Sequence, residues 1–256
     1  MWDADLIESL RKAYNAEHPK SKDIPKGSPE KVWDTLKQRL QAECDDEKCM
    51  IRSLIRKPSA PMSWSANPTE WLSSTDIEKV EKQYMKTVPG YYFVGCVPID
   101  FGKQSETGAC LVDSLCAMDV TSLYKKGYTM IGIVFNTDPH DQPGEHWIAA
   151  FCDLRTEKPY MSFFDSYGLK PEAEVQELMA SWKDQLDQAE THEHAMELYY
   201  NDLRHQFKES ECGMYCLYFI HCCILRVPMD ARVPDEVMNM MRKFFFEVPK
   251  RRRHSS

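Results

Sequence analysis

The run CGMYCLYFIHCCIL, from Cys212 to Leu225, constrains the fold more than any other stretch of the chain. It is apolar on nearly every helical face, with His221 as its one strongly polar residue. A helix of that kind cannot lie on a surface and expose one side to water. It also falls short of the roughly 20 apolar residues that cross a bilayer. The expectation is therefore a buried central helix, around which the rest of the chain must pack. With 256 residues and 43% of them apolar, the chain can supply such a core.

Three segments supply the partners for that helix. Thr129–Phe135 is rich in Ile and Val, and Trp147–Cys152 and Tyr160–Phe164 follow with turn signals between them, which suits antiparallel pairing. Tyr91–Val97 reads as a further strand. Helices are expected after Ser74 or Thr75, around Ala109–Val120, across Glu172–Leu203 as a charged amphipathic helix or pair, and at Asp235–Phe246. The class is α+β: a small central, mainly antiparallel sheet flanked by helices, one of them buried and carrying the nucleophile. The chain divides into an N-terminal helical arm over 1–60, a core over 61–249 and a basic tail over 250–256. The boundary is set at Lys57-Pro58-Ser59-Ala60-Pro61, where the prolines cannot continue a helix. In the arm, Leu6, Ile7, Leu10 and Tyr14 share one helical face, and Pro29 opens a second helix carrying Val32, Trp33, Leu36 and Leu40.

Four short stretches carry chemistry: Gly144-Glu145-His146-Trp147, Phe163-Phe164-Asp165-Ser166, His205-Gln206 and Ser210-Glu211-Cys212-Gly213. Cys212 starts the buried helix, where first-turn amides favour a thiolate. His146 heads one strand and Asp165 closes the next, so antiparallel pairing brings both to one sheet edge. There the carboxylate can fix the imidazole tautomer and favour the imidazolium. Gln206, six residues before Cys212, can donate to an oxyanion beside the Cys212 amide, and Gly213 leaves no side chain to crowd an approaching carbonyl. His140, in the polar turn Asp138-Pro139-His140-Asp141, competes for the role of His146. Cys96, Cys110, Cys116, Cys152, Cys216, Cys222 and Cys223 read as reduced core thiols. Cys44 and Cys49 lack a second ligand pair, so no metal site is expected.

In this order and spacing the motifs resemble the ubiquitin-like-protein-specific (SUMO) protease family, in the clan that includes the adenovirus protease. The upstream stretches Pro61-Met62-Ser63-Trp64 and Asn67–Ile77 resemble the large-DNA-virus branch, typified by the African swine fever virus polyprotein protease. The resemblance spans about Pro61 to Phe246. It implies a His146–Asp165–Cys212 triad with Gln206 in the oxyanion hole, and cleavage after Gly-Gly. Trp147 would form part of a narrow channel admitting only glycine backbone. It further implies structural polyproteins as substrates during virion maturation. One departure is Glu211, where the family has Asp.

Three alternatives stay open: a deconjugase for a ubiquitin-like modifier, a non-catalytic module that holds Gly-Gly tails, and an acyltransferase. No cofactor is required by this chemistry. The net charge of −8 argues against a chain-wide nucleic-acid surface, leaving Lys250-Arg251-Arg252-Arg253 as a weak nucleic-acid contact or nuclear-import signal. A monomer in the host cytoplasm and virion is expected, with no membrane segment.

Overall fold

A computed structural model describes residues 4–17, 22–40 and 57–247. The positions of Cys44 and Cys49 and of the basic tail lie outside the described residues. Two arm helices, α1 (Ala4–Glu17) and α2 (Pro29–Leu40), pack Ile7, Leu10 and Tyr14 together with Val32, Trp33 and Leu36 out of water. Helix α3 (Ser74–Thr87) is capped by Ser73. Three hydroxyl residues stand in a row there, and Asp76 selects among them. It accepts from the Ser73 amide at 3.1 Å while its own amide donates to Ser73 Oγ at 3.3 Å, a reciprocal cap one residue earlier than expected.

Five strands form one sheet in chain order: β1 (Tyr91–Pro98), β2 (Met130–Asn136), β3 (Trp147–Asp153), β4 (Tyr160–Phe164) and β5 (Glu197–Tyr200). The β2–β3–β4 centre is antiparallel, as the turn signals required. The outer pairs β1–β2 and β4–β5 are parallel, so the sheet is mixed. Parallel neighbours need long crossovers, and the chain provides them. Two short helices, α4 (Asp113–Cys116) and α5 (Val120–Lys125), lie between β1 and β2. Helix α6 (Ala173–Gln188) lies between β4 and β5.

The single long helix or helix pair expected over Glu172–Leu203 is thus replaced by α6 and an edge strand. All four β5 residues are exposed, so the alternating burial that marks a strand is missing from their sequence. His192 and His194 fall in the connecting loop rather than on a helix.

Alternation along the central strands sorts the core onto two faces. Ile148, Ala150 and Cys152 of β3 join Val175, Met179 and Trp182 of α6 on one side. Ala149 and Phe151 join α7 (Cys212–Leu225) on the other, closed over by α3 and by α8 (Asp235–Phe245). Helix α7 is buried along almost its whole length. Its C-terminal carbonyls are held by one side chain: Arg155 donates to Ile224 O at 2.7 Å and Cys223 O at 2.8 Å while pairing with buried Asp153. Residues 58–60 are no free linker, because Ala60 N donates to Glu247 O and Glu247 N to Pro58 O.

Cys110 and Cys116 depart from the core-thiol expectation. Cys116 is exposed and Cys110 half-buried, and the two form a disulfide across six residues. Cys110 lies just before α4 and Cys116 ends it, a helix of which only Leu115 is buried.

Candidate active site

The register of the central hairpin builds the site. Ala149 pairs with Phe164, so the start of β3 and the end of β4 share one sheet end. His146 and Asp165 extend one residue beyond those strands, and His146 Nε2 donates to Asp165 Oδ1 at 2.7 Å. The same oxygen accepts from the Tyr167 amide at 2.9 Å. Asn201, just past β5, brackets Asp165 through the backbone. It accepts from Asp165 N at 2.9 Å and donates to Asp165 O at 2.8 Å. The carboxylate is therefore fixed by groups from two loops, and only 3% of the residue is exposed.

The imidazole also lies near enough to Cys212, the first residue of α7, for that side chain to help raise its pKa. Burial pushes the His146 pKa down, but the bond to Asp165, the Cys212 side chain and the charges of both outweigh it and raise it to about 9. The imidazolium is thus the favoured form at neutral pH, beside a sulfur at a helix N-terminus whose first amides have no partner within the helix. This arrangement can deliver a thiolate with its proton parked on the neighbouring ring. His140 is bound elsewhere, with its Nδ1 2.7 Å from Asp100 Oδ2.

Gln206 is fully buried, although its loop sequence is polar. Ser166 places it, donating from Oγ to Gln206 Oε1 at 2.6 Å and accepting from Gln206 N at 2.9 Å. That assigns the amide's direction: Nε2 is the end left to donate, with one hydrogen directed to Lys208 O at 2.7 Å. Trp147, half-buried at the start of β3, donates from Nε1 to Leu72 O at 2.9 Å. Gly213 does not open space for a carbonyl, as its sequence position suggested. A Cβ there would lie 3.0 Å from Leu72 Cβ and 3.3 Å from Trp147 Cδ1, so the missing side chain makes room for the protein's own wall. Glu211 is buried and forms no ion pair among the described residues. It accepts instead from Ser210 N and from Asn239 Nδ2 at 2.7 Å.

Sequence reasoning assigned no role to Tyr167, Leu72, Ser166 or Asn201. Tyr167 stacks on His146 with ring centroids 4.6 Å apart. Its place two residues after Asp165 was the available signal, since a turn closing there returns the ring toward the strand end. Gly168 makes that turn possible with φ +73°, packing against the backbone of residues 202–204 where a Cβ would meet Asp202 O at 2.8 Å.

With this geometry in hand, residues 128–254 match the Ulp1 protease family, C-terminal catalytic domain. A protein of Acanthamoeba polyphaga mimivirus, R355, named as a thiol protease, is 30% identical over 182 residues, covering 70% of this chain and 57% of that one. Cysteine protease S273R of African swine fever virus is 32% identical over 128 residues, covering 48% of this chain and 46% of that one. The chain therefore spans about half the length of the curated relatives it matches. The crystal structure of the African swine fever virus pS273R protease superposes with a TM-score of 0.64 at 24% identity, covering 91% of this chain and 95% of that one. The C-terminal Ulp1 protease domain solved in complex with Smt3, the yeast ortholog of SUMO, gives 0.50 at 19% identity, covering 70% and 76%. The latter two share the fold, and residues 128–254 add the sequence signature, so this part of the chain is a C-terminal catalytic domain of the Ulp1 protease family.

Proposed function

We propose that the chain is a cysteine endopeptidase that cleaves after Gly-Gly, with Cys212 as nucleophile, His146 as base and acid, and Asp165 as the group that orients His146. The single observation that carries this reading is the imidazole bonded to Asp165 and lying within the influence of Cys212 at the tip of α7. In the acylation step the sulfur, its proton held on His146, attacks the scissile carbonyl. The Cys212 amide and the second Nε2 hydrogen of Gln206 receive the oxyanion. As the C–N bond breaks, His146 returns the proton to the leaving amine. Water, deprotonated by the same ring, then hydrolyses the thioester. Trp147 and Leu72, clamped over Gly213, support a narrow channel that suits residues without side chains.

The likeness to thiol and cysteine proteases of large DNA viruses favours structural polyproteins as substrates, cut during virion maturation in the host cytoplasm and virion. A second reading, removal of a ubiquitin-like modifier, is favoured by the likeness to the Ulp1 domain bound to Smt3. Both readings predict cleavage at Gly-Gly, and a substrate pair separates them. A short Gly-Gly-Xaa peptide cut at least as efficiently as a folded modifier fusion supports the polyprotein reading. Strong preference for the folded fusion supports the deconjugase. If neither is cut and a glycine-based vinyl sulfone leaves Cys212 unlabelled, both readings fail together.

A further inference from the structure

We infer that Arg204 is a specificity-determining residue, binding a carboxylate side chain of the substrate a few residues from the scissile bond. The inference deepens the protease reading above and rests on it. Arg204 sits between the two halves of the candidate site. Its Nε donates to the Gln206 carbonyl at 2.9 Å, and its guanidinium lies 5.3 Å over the ring of Tyr167, which in turn stacks on His146 at 4.6 Å. Those separations put the cation within about 10 Å of the imidazole, a span that about three residues of extended chain cover at roughly 3.3–3.6 Å each. A peptide laid across Cys212 between His146 and Gln206 therefore has side chains within reach of this group.

The neighbouring cations are already neutralised. Arg232 pairs with Asp235 at 3.7 Å and Lys208 with Glu236 at 2.8 Å. Arg204 forms no ion pair among the described residues, and neither Asp202 nor Glu209, the nearest carboxylates in sequence, closes on it. One edge of its guanidinium is fixed by the Gln206 carbonyl, which leaves the forked end to accept a bidentate anion.

Phe207 completes the subsite. It is 60% exposed, an unusual setting for a phenylalanine, and it is flanked by Arg204 and Arg232, each 4.6 Å from its ring. The two aromatic contacts hold the Arg204 side chain in place, so little freedom is lost when a ligand binds. A flat apolar ring beside a fixed guanidinium fits the methylene stem and carboxylate of Asp or Glu. It repels Lys and Arg.

The test is a set of Gly-Gly peptides in which a single Asp, Asn or Lys is walked through three positions on each side of the cleavage point. Each is assayed with wild-type protein, Arg204→Gln, Arg204→Lys and Arg204→Glu. At one or more positions the wild type is expected to cut the Asp peptide about fivefold or more faster than the Lys peptide in kcat/KM, a gap that shrinks with added salt. Arg204→Gln should abolish the gap, Arg204→Lys should keep part of it, and Arg204→Glu should invert it. The ratio between peptides is the readout because a merely structural loss lowers all of them alike. Cleavage of every peptide without charge preference, or a preference that survives Arg204→Gln, overturns the subsite and leaves the protease reading standing. A wild-type protein that cuts none of the peptides overturns that reading and the subsite with it.

Discussion

Leu72 fills the space that a side chain on residue 213 would take, with its Cβ 3.0 Å from where a Gly213 Cβ would stand. Its carbonyl accepts the Trp147 indole N–H as well, so one residue from the segment before α3 closes the wall beside the nucleophile. The backbone of Cys212–Gly213 is thereby pinned between the helix it begins and a chain segment about 140 positions earlier in sequence. Glycine at 213 is a packing requirement of the enzyme's own structure.

Gly213→Ala is expected to cost about 1–3 kcal/mol of stability, the range for adding a methyl group to a filled site. It should also lower kcat/KM, because relief can come only by moving Leu72, Trp147 or the start of α7. A second change, Leu72→Ala, removes the clashing atoms beyond Cβ and should recover part of the loss, giving coupling between the two sites. Thermal melts and peptide cleavage on the four members of the cycle decide it. Strict additivity would mean that the two residues do not press on each other.

Cys212→Ala should reduce cleavage by at least about 10⁴-fold, as removal of a nucleophile does in other hydrolases, with the melting temperature little changed. A thiol-directed glycine probe should label the wild type once. Six free cysteines are found among the described residues, and burial raises the pKa of Cys96, Cys152, Cys216 and Cys223. Labelling of one of those in place of Cys212, read by mass spectrometry, would reassign the nucleophile.

Asp165→Asn removes the first of the contacts that hold the His146 pKa up against burial, so the pKa should fall from about 9. The sign for stability follows from linkage. A histidine raised from 6.5 in the unfolded chain to about 9 stabilises the fold fully below pH 6.5, and that contribution disappears as pH rises through 9. The stability gap between wild type and variant should therefore be widest below pH 6.5 and narrow toward pH 9. NMR titration of the His146 ring measures the shift directly. kcat/KM should fall by about 10²–10⁴ as the ring loses its orienting partner. A variant ring that still titrates near 9 would assign the raised pKa to Cys212 alone.

The buried helix, the central hairpin and the meeting of His146 with Asp165 were legible in the sequence because each is written in local pattern. An all-apolar run has one place to go, and strand period with turn residues sets which ends meet. The edge strand β5 was not legible, because Glu197–Tyr200 is exposed on every residue and is held by backbone pairing with β4. With it went Asn201, whose grip on Asp165 depends on where β5 ends. The burial of Gln206 and the role of Leu72 were hidden for a related reason. Both are decided by contacts between segments far apart in the chain, Ser166 with Gln206 and Leu72 with Gly213. The Cys110–Cys116 bridge was missed because free cysteine is among the residue types most often buried, whereas Cys116 is exposed.

Glu81 supplies a prediction away from the site. It lies on the inner face of α3 with 1% of its surface exposed, and Tyr91 OH donates to its Oε2 at 2.6 Å. Burial pushes its pKa from 4.5 up to about 8, and the tyrosine bond pulls the other way without overcoming it. Below pH 4.5 the folded and unfolded chains both hold the proton, so the residue costs nothing extra there. Between pH 4.5 and 8 the unfolded chain releases the proton while the folded chain keeps it, and stability falls steadily with rising pH. Above about pH 8 the folded state ionises too and the loss levels off. Glutamine has the shape of the protonated acid, keeps an oxygen for Tyr91, and does not titrate. Glu81→Gln should therefore match the wild type near pH 4.5 and exceed it progressively toward pH 8, where urea unfolding curves read the difference. A wild-type-minus-variant gap that stays flat across that window would show that Glu81 is ionised in the folded protein, with a charge partner inside the core that the geometry of α3 and β1 does not supply.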